Sequence, residues 1–182
     1  MTGRDLFLKY YKTAKEENRP FLLENEAREV CEAYGISTPE GGFIKNKEEA
    51  ISLARKIGYP VVLKVVSPQV IHKSEVGGVK VKINSDEELT KAYDDIVRSV
   101  KEHVPNAEIR GMLLTKMAGN GVETIVGLKR DPIFGPVVMF GIGGIFVEVY
   151  RDVTFRVCPV TERDAEEMFK AVSYTHLTLP TN

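Results

Sequence analysis

The stretch Pro60-Val-Val-Leu-Lys-Val-Val-Ser-Pro-Gln-Val-Ile-His-Lys-Ser-Glu-Val-Gly-Gly-Val-Lys80 leaves this chain the fewest ways to fold. Its apolar run predicts a strand that ends by delivering one lysine, Lys64. A loop follows that carries His72, Lys73 and the pair Gly77-Gly78. Val79, Val81 and Ile83 then alternate with Lys80 and Lys82, the period of a half-buried strand. Strand, glycine-bearing loop and strand, with cations at the loop mouth, form a device suited to holding phosphate. Glycine lets backbone N–H groups approach an anion closely, and lysine supplies point charge.

The flanking sequence alternates helix and strand signals. Helices are predicted over Arg4–Asn18 and Glu24–Tyr34, the second with Gly35 placed for a left-handed cap. Gly41–Ile44 reads as a short strand. Asn46 with Glu49, and Ser85 with Glu88, have the spacing of capping boxes and open two more helices. After Pro105 the texture changes to strands, over Gly111–Met117, Glu123–Leu128, Pro136–Phe140, Ile145–Tyr150 and Thr154–Val157, with a turn at Lys129–Pro132. Their connections are too short for parallel crossovers, so an antiparallel sheet is expected. Thr161 caps a last helix.

Other features narrow the function. The formal net charge of -1 gives no basic excess for nucleic acid. No apolar run approaches membrane-spanning length and the N-terminus lacks a signal pattern, so a cytoplasmic protein is expected. Cys31 and Cys158 are expected to be buried thiols. His72 and His103 are too far apart in sequence, and the cysteines too widely spaced, for a recognisable metal cluster. Gly141-Ile-Gly-Gly144 lacks the third glycine and the following helix of a dinucleotide fingerprint. Val172–Asn182 has no charged residue, is rich in threonine and breaks the helical pattern. It resembles translated adapter sequence, and residues 172–182 are read as a non-native tail; His176 is set aside with it.

Several ordered segments resemble one family. They are Glu17-Asn-Arg-Pro20, Ile57-Gly-Tyr-Pro-Val-Val-Leu-Lys64, Ser67-Pro-Gln-Val-Ile-His-Lys-Ser74, Gly77-Gly-Val-Lys80 and the long match from Val126 to Glu148. Across residues 4–171 the chain resembles the beta subunits of ADP-forming acetyl-CoA synthetases (acetate–CoA ligases), ATP-grasp proteins related to succinyl-CoA synthetase. The resemblance implies an α/β (α+β) ATP-grasp fold with ATP or ADP held between two lobes. The division it suggests is an N-terminal helix over 1–20, a first lobe over 21–110 and a partial second lobe over 111–171. It also implies a reversible reaction in which acyl-CoA, ADP and phosphate give acid, CoA and ATP. Phosphate passes through a histidine on a CoA-binding alpha subunit, and the family loop matched by His72 carries a second, relaying histidine. The family's Mg2+-binding Asp and Asn lie beyond the matched stretch, so no metal ligand is assigned here and a poorly active fragment is expected.

Each candidate residue also has a plain structural reading. His72 is either a phosphoryl-carrying nucleophile or a surface loop residue. Lys64 is either a phosphate ligand or a lysine snorkelling from an edge strand. Lys73 is a weaker candidate for the same phosphate. Gly77 and Gly78 are either a flap over phosphates or a hairpin turn. Leu113–Met117 resembles the ATP-grasp hinge, where the backbone of Leu114, Thr115 and Met117 would read the adenine edge and Leu114 or Met117 would pack on its face; the alternative is a core strand. Glu123 matches an acidic position that meets ribose or a lysine, or is a solvated strand residue. Glu148 and Arg156 are read first as a cross-strand ion pair, and otherwise as part of the side on which a phosphohistidine would dock. Alternative functions are a succinyl-CoA synthetase-like beta subunit and a non-catalytic nucleotide-binding module.

Overall fold

Local capping signals set most helix starts. The computed structural model describes residues 2–119, 121–144 and 152–172, and the chain divides into two compact units, Met1–Ala118 and Gly119–Asn182. In the first unit, α1 (Gly3–Glu16) opens on a capping box in which Thr2 Oγ1 accepts the Asp5 N–H and the Asp5 carboxylate accepts the Thr2 N–H. It stops short of the expected Asn18, because that residue turns to a φ of 55°. Helix α2 (Glu24–Ala33) packs on α1, and Gly35, at φ 80°, follows its end.

Strand β1 (Gly41–Ile44) leads to α3 (Lys47–Ile57), and α4 (Asp86–His103) lies further along. Asn46 and Ser85 cap these helices as expected, accepting the N–H of Glu49 and Glu88 at 2.8 and 3.2 Å. The return bonds differ from a capping box. Glu49 and Glu88 accept the N–H of Lys45 and Asn84, one residue before each cap. In each helix the cap still satisfies one of the first-turn donors that lack an intrahelical partner.

Strands β2 (Val61–Val66), β3 (Val79–Ile83) and β4 (Gly111–Lys116) complete an antiparallel sheet of order β1-β4-β2-β3. The strand β4, expected to open a second lobe, sits inside this sheet between β1 and β2. Side chains alternate across β2. Leu63 and Val65 enter a core with Ala50, Ala54, Leu89, Ile96 and Val100 from α3 and α4. Full burial of each leucine, isoleucine or valine contributes roughly 1.5–3 kcal/mol. Val66 instead joins Leu23 and Leu113 in a smaller cluster with Phe21 and Phe43. That cluster holds the lead-in to α2.

Two strand expectations need correction. Lys64 does not end β2, since Val65 and Val66 continue the ladder. The simple alternation of β3 fails. Leu63 pairs with Lys80 but Val61 pairs with Ile83, so β3 carries one extra residue, and Lys82 has a φ of 56°. This bulge leaves Val81 exposed rather than half-buried.

In the second unit, β5 (Thr124–Asp131), β6 (Gly135–Ile142) and β7 (Val153–Val157) form the expected antiparallel sheet in sequence order. The β5–β6 turn falls later than predicted, after Asp131, whose Oδ1 accepts the N–H groups of Ile133 and Phe134 at 2.8 and 2.9 Å. Helix α5 (Glu162–Ala171) starts at Thr161, and Met168 packs with Phe140. Val172, assigned above to the tail, is fully buried in this cluster. Arg156 pairs with Glu167 on α5 at 3.6 Å. Glu148, the predicted strand over Ile145–Tyr150 and His176 lie outside the described residues. Neither Cys31 nor Cys158 is buried as expected; both are free and half-buried. Among the described residues no helix is long and apolar enough to cross a membrane.

Candidate functional site

The alternation that sends Leu63 and Val65 into the core turns Lys64 to the opposite face of β2, toward the start of α2. Glu24, in the first turn of α2, meets it there. Lys64 Nζ donates to Glu24 Oε1 at 2.7 Å, and Lys73 Nζ donates to Oε2 of the same carboxylate at 2.6 Å. Two ammonium groups, 40 and 49 residues beyond Glu24 in sequence, therefore converge on one anion. Burial pushes the Glu24 carboxyl up, but the hydrogen bonds and charges of Lys64 and Lys73 outweigh it and hold the group below the ordinary 4.5.

The position of Glu24 is fixed from behind. Arg19, only 8% exposed, donates through Nη1 and Nη2 to the two oxygens of buried Glu26, each at 3.0 Å. Nη1 also reaches the Phe21 carbonyl at 2.9 Å, and Nε reaches Glu17. Glu26 in turn accepts the Leu23 N–H at 2.8 Å and so caps α2. Arg110 ties Glu17 to the end of the loop before β4 at 3.0 Å. A planar guanidinium suits this bidentate task.

The loop 67–78 supplies the rest. Its base is pinned to β2, where the Val65 N–H donates to Gly78 O at 2.8 Å and the Gly78 N–H to Lys73 O at 2.7 Å. Ser99 of α4 donates to Val76 O at 2.9 Å. Gly77 and Gly78 lie at this base, not at a hairpin tip. Gly77 has φ +66°, and a Cβ there would meet Ser99 Oγ at 2.5 Å; one on Gly78 would meet Val65 Cγ1 at 2.7 Å. The pair therefore serves close packing that sets the loop against β2. His72 is exposed on the outer part of the loop. It lines one open pocket, about 400 Å³, with Glu24, Lys64, Lys73, Ser74 and Val79.

The hinge candidates fare unevenly. Leu114 is fully buried in the core, so its side chain has no surface to offer a base. Leu114 and Thr115 lie in an interior strand paired on both sides, with Gly42 and Leu63, and with Gly41 and Val62. Their backbone groups serve the ladder, which corrects the expectation that they read an adenine edge. Met117, just past β4, is half-buried and donates its N–H to Pro60 O at 3.0 Å. In the second unit Glu123 is exposed; its carbonyl accepts the Gly143 N–H at 2.7 Å, and its carboxylate lies beside Gly144.

Among the described residues no group of three or more His, Cys, Asp or Glu side chains is arranged to hold a metal ion. Sequence reasoning missed Glu24, which it read only as a helix start. An acidic first-turn residue has an ordinary role at the positive end of the helix dipole, and nothing local signals its pairing with two lysines.

The family model described as ATP-grasp domain matches residues 13–179. The acetate–CoA ligase (ADP-forming) I subunit beta of Pyrococcus furiosus is 51% identical over 159 residues, which cover 87% of this chain and 68% of that one. The 4-hydroxybutyrate–CoA ligase (ADP-forming) of Nitrosopumilus maritimus is 48% identical over 90% of this chain, but the chain spans only 24% of that relative's length. The acetyl-coenzyme A synthetase 1 of Ca. Korarchaeum cryptofilum, in complex with coenzyme A and Ca-AMPCP, matches with a TM-score of 0.90 and 54% identity, covering 100% of this chain and 77% of that one. The same synthetase with coenzyme A and Mg-AMPPCP, its phosphohistidine segment pointing towards the nucleotide binding site, matches with a TM-score of 0.78 and 49% identity, over 97% of this chain and 73% of that one.

Proposed function

Because this chain belongs to the ATP-grasp family, as a homologue of the beta subunits of ADP-forming acetyl-CoA synthetases, we propose that it is the nucleotide-binding, phosphoryl-handling part of an ADP-forming acid–CoA ligase. The observation that carries the reading is the convergence of Lys64 and Lys73 on one anionic group in the pocket that His72 lines. In this reading the two lysines bind oxygens of the transferring phosphate and offset its charge.

His72 is the covalent carrier. Its neutral imidazole nitrogen attacks phosphorus of a phosphohistidine presented by a CoA-binding partner subunit; one N–P bond forms as the other breaks. A terminal oxygen of ADP then attacks the phosphorus on His72, giving ATP and free imidazole. The net change interconverts acyl-CoA, ADP and phosphate with acid, CoA and ATP. Its exposure lets His72 receive the group from outside the chain, while the pinned loop base keeps Lys73 beside Lys64. In this reading Met117 serves the adenine of the nucleotide. Mg2+ would come to the nucleotide through residues other than those described, and no step above is assigned to it.

The test uses the full-length protein, its partner subunit and ATP labelled on the terminal phosphate. The expected result is acid-labile, base-stable label on both chains, lost from the partner when His72→Ala is used while nucleotide still binds. Unchanged transfer by His72→Ala would overturn the relay. Nucleotide binding with no phosphohistidine on either chain would leave a binding module and refute the ligase reading.

A further inference from the structure

The paired lysines of the anion site hold an anion that belongs to the chain itself. Glu24 presents two oxygens, and each takes one lysine. A phosphoryl group offers the same recognition, two oxygens on one centre, with more charge. Each ammonium keeps two further N–H donors, but while it is bonded to Glu24 its charge is already matched by a carboxylate that would repel an incoming phosphate. The carboxylate is no surface accident, because α2 is fixed by the buried Arg19–Glu26 pair two positions further along. Nor is it deeply enclosed: about a third of its side chain remains accessible, leaving it room to withdraw.

We infer that Glu24 is a positioning residue that stands in for the phosphate, keeping Lys64 and Lys73 converged in the empty site and yielding them when the phosphate enters. This rests on the reading of Lys64 and Lys73 as the phosphate ligands. The substituted carboxylate has two effects. It prevents two neighbouring cations from separating when no substrate is bound. It also weakens ground-state binding of phosphate, so that a product nucleotide is not retained.

The experiment titrates the 182-residue chain with inorganic tripolyphosphate by calorimetry at low ionic strength. Wild type, Glu24→Gln, Glu24→Asp and Lys64→Ala are compared. Glu24→Gln keeps the size of the side chain but removes the competing charge. It is expected to bind roughly tenfold tighter, because the lysines are no longer mostly sequestered. Glu24→Asp keeps the charge but is too short to hold both lysines at once, and falls between. Amine-labelling rates supply a readout that loss of fold alone would not give. In Glu24→Gln, Lys64 and Lys73 label faster than in wild type, and tripolyphosphate restores their protection.

If the wild type binds in a Lys64-dependent way and Glu24→Gln binds equally or more weakly, the lysine site stands and the stand-in role is overturned. If neither wild type nor Glu24→Gln binds, the reading of Lys64 and Lys73 as phosphate ligands fails, and the inference with it. Should Glu24→Gln not fold, tighter binding by Glu24→Asp supports the proposal and equal or weaker binding overturns it.

Discussion

Replacing Arg19 with methionine tests how the site is held in place. The guanidinium is nearly buried and makes two 3.0 Å bonds to Glu26, whose own side chain is only 8% accessible. Arg19→Met keeps much of the aliphatic stem and removes every one of those donors. Glu26 is then left with the Leu23 N–H and an uncompensated charge. Breaking a buried pair by removing one partner costs about 3–5 kcal/mol. For a chain of this size each kcal/mol lowers the melting temperature by about 2–4 °C. Arg19→Met is therefore expected to melt roughly 10 °C below wild type by circular dichroism. Removing both charges, in Arg19→Met with Glu26→Leu, replaces the ion pair with apolar contact and should recover a large part of the loss. The double-mutant cycle should return a coupling of about 2–3 kcal/mol. A single variant melting within about 2 °C of wild type, or strictly additive effects, would refute the claim that this pair anchors α2.

Two other perturbations act on the same site. The Glu24 carboxyl is held below its ordinary value, so the stability it contributes is complete above the unfolded-state value, near 4.5, and is lost as pH falls through the lower folded-state value. The difference in urea midpoint between wild type and Glu24→Gln should thus be constant from pH 8 to about 6 and shrink in acid, below about pH 4; a difference that grows on acidification would contradict the pairing. Gly78→Ala places a methyl group 2.7 Å from Val65 Cγ1 and 3.0 Å from Lys73 O. It should destabilise the first unit by about 1–3 kcal/mol and weaken tripolyphosphate binding by displacing Lys73, both measurable on one preparation.

The sequence made legible whatever depended on neighbours a few residues apart. Asn46, Ser85 and Thr161 announce their helices because a cap is a local bond, and β6 and β7 announce themselves by composition and turns. The site was half legible. Lys64 and Lys73 stand out as cations in an apolar, glycine-bearing context. Their partner does not, because Glu24 precedes Lys64 by an entire helix–strand–helix segment and resembles any acidic first-turn residue. The β3 bulge was hidden for another reason. Alternation at Val79, Val81 and Ile83 is what a regular strand would show, and only the pairing of Val61 with Ile83 reveals the extra residue. Leu114 and Thr115 misled for a third reason: a sequence match locates a strand but not how many neighbours it has.

The interior position of β4 sets the order in which the first sheet can be assembled. Gly41 meets Thr115, and Val62 meets the same Thr115 from the other side. A nascent chain that has emerged only as far as Arg110 can form the β2–β3 ribbon, but its β1 has no neighbour to join. The sheet closes only when the last strand slides between two segments made long before it, and such distant pairings fold slowly. During that interval Ile44, Leu63 and Val65 wait beside an empty slot, the moment at which this unit is most open to capture by a chaperone or by another copy of itself.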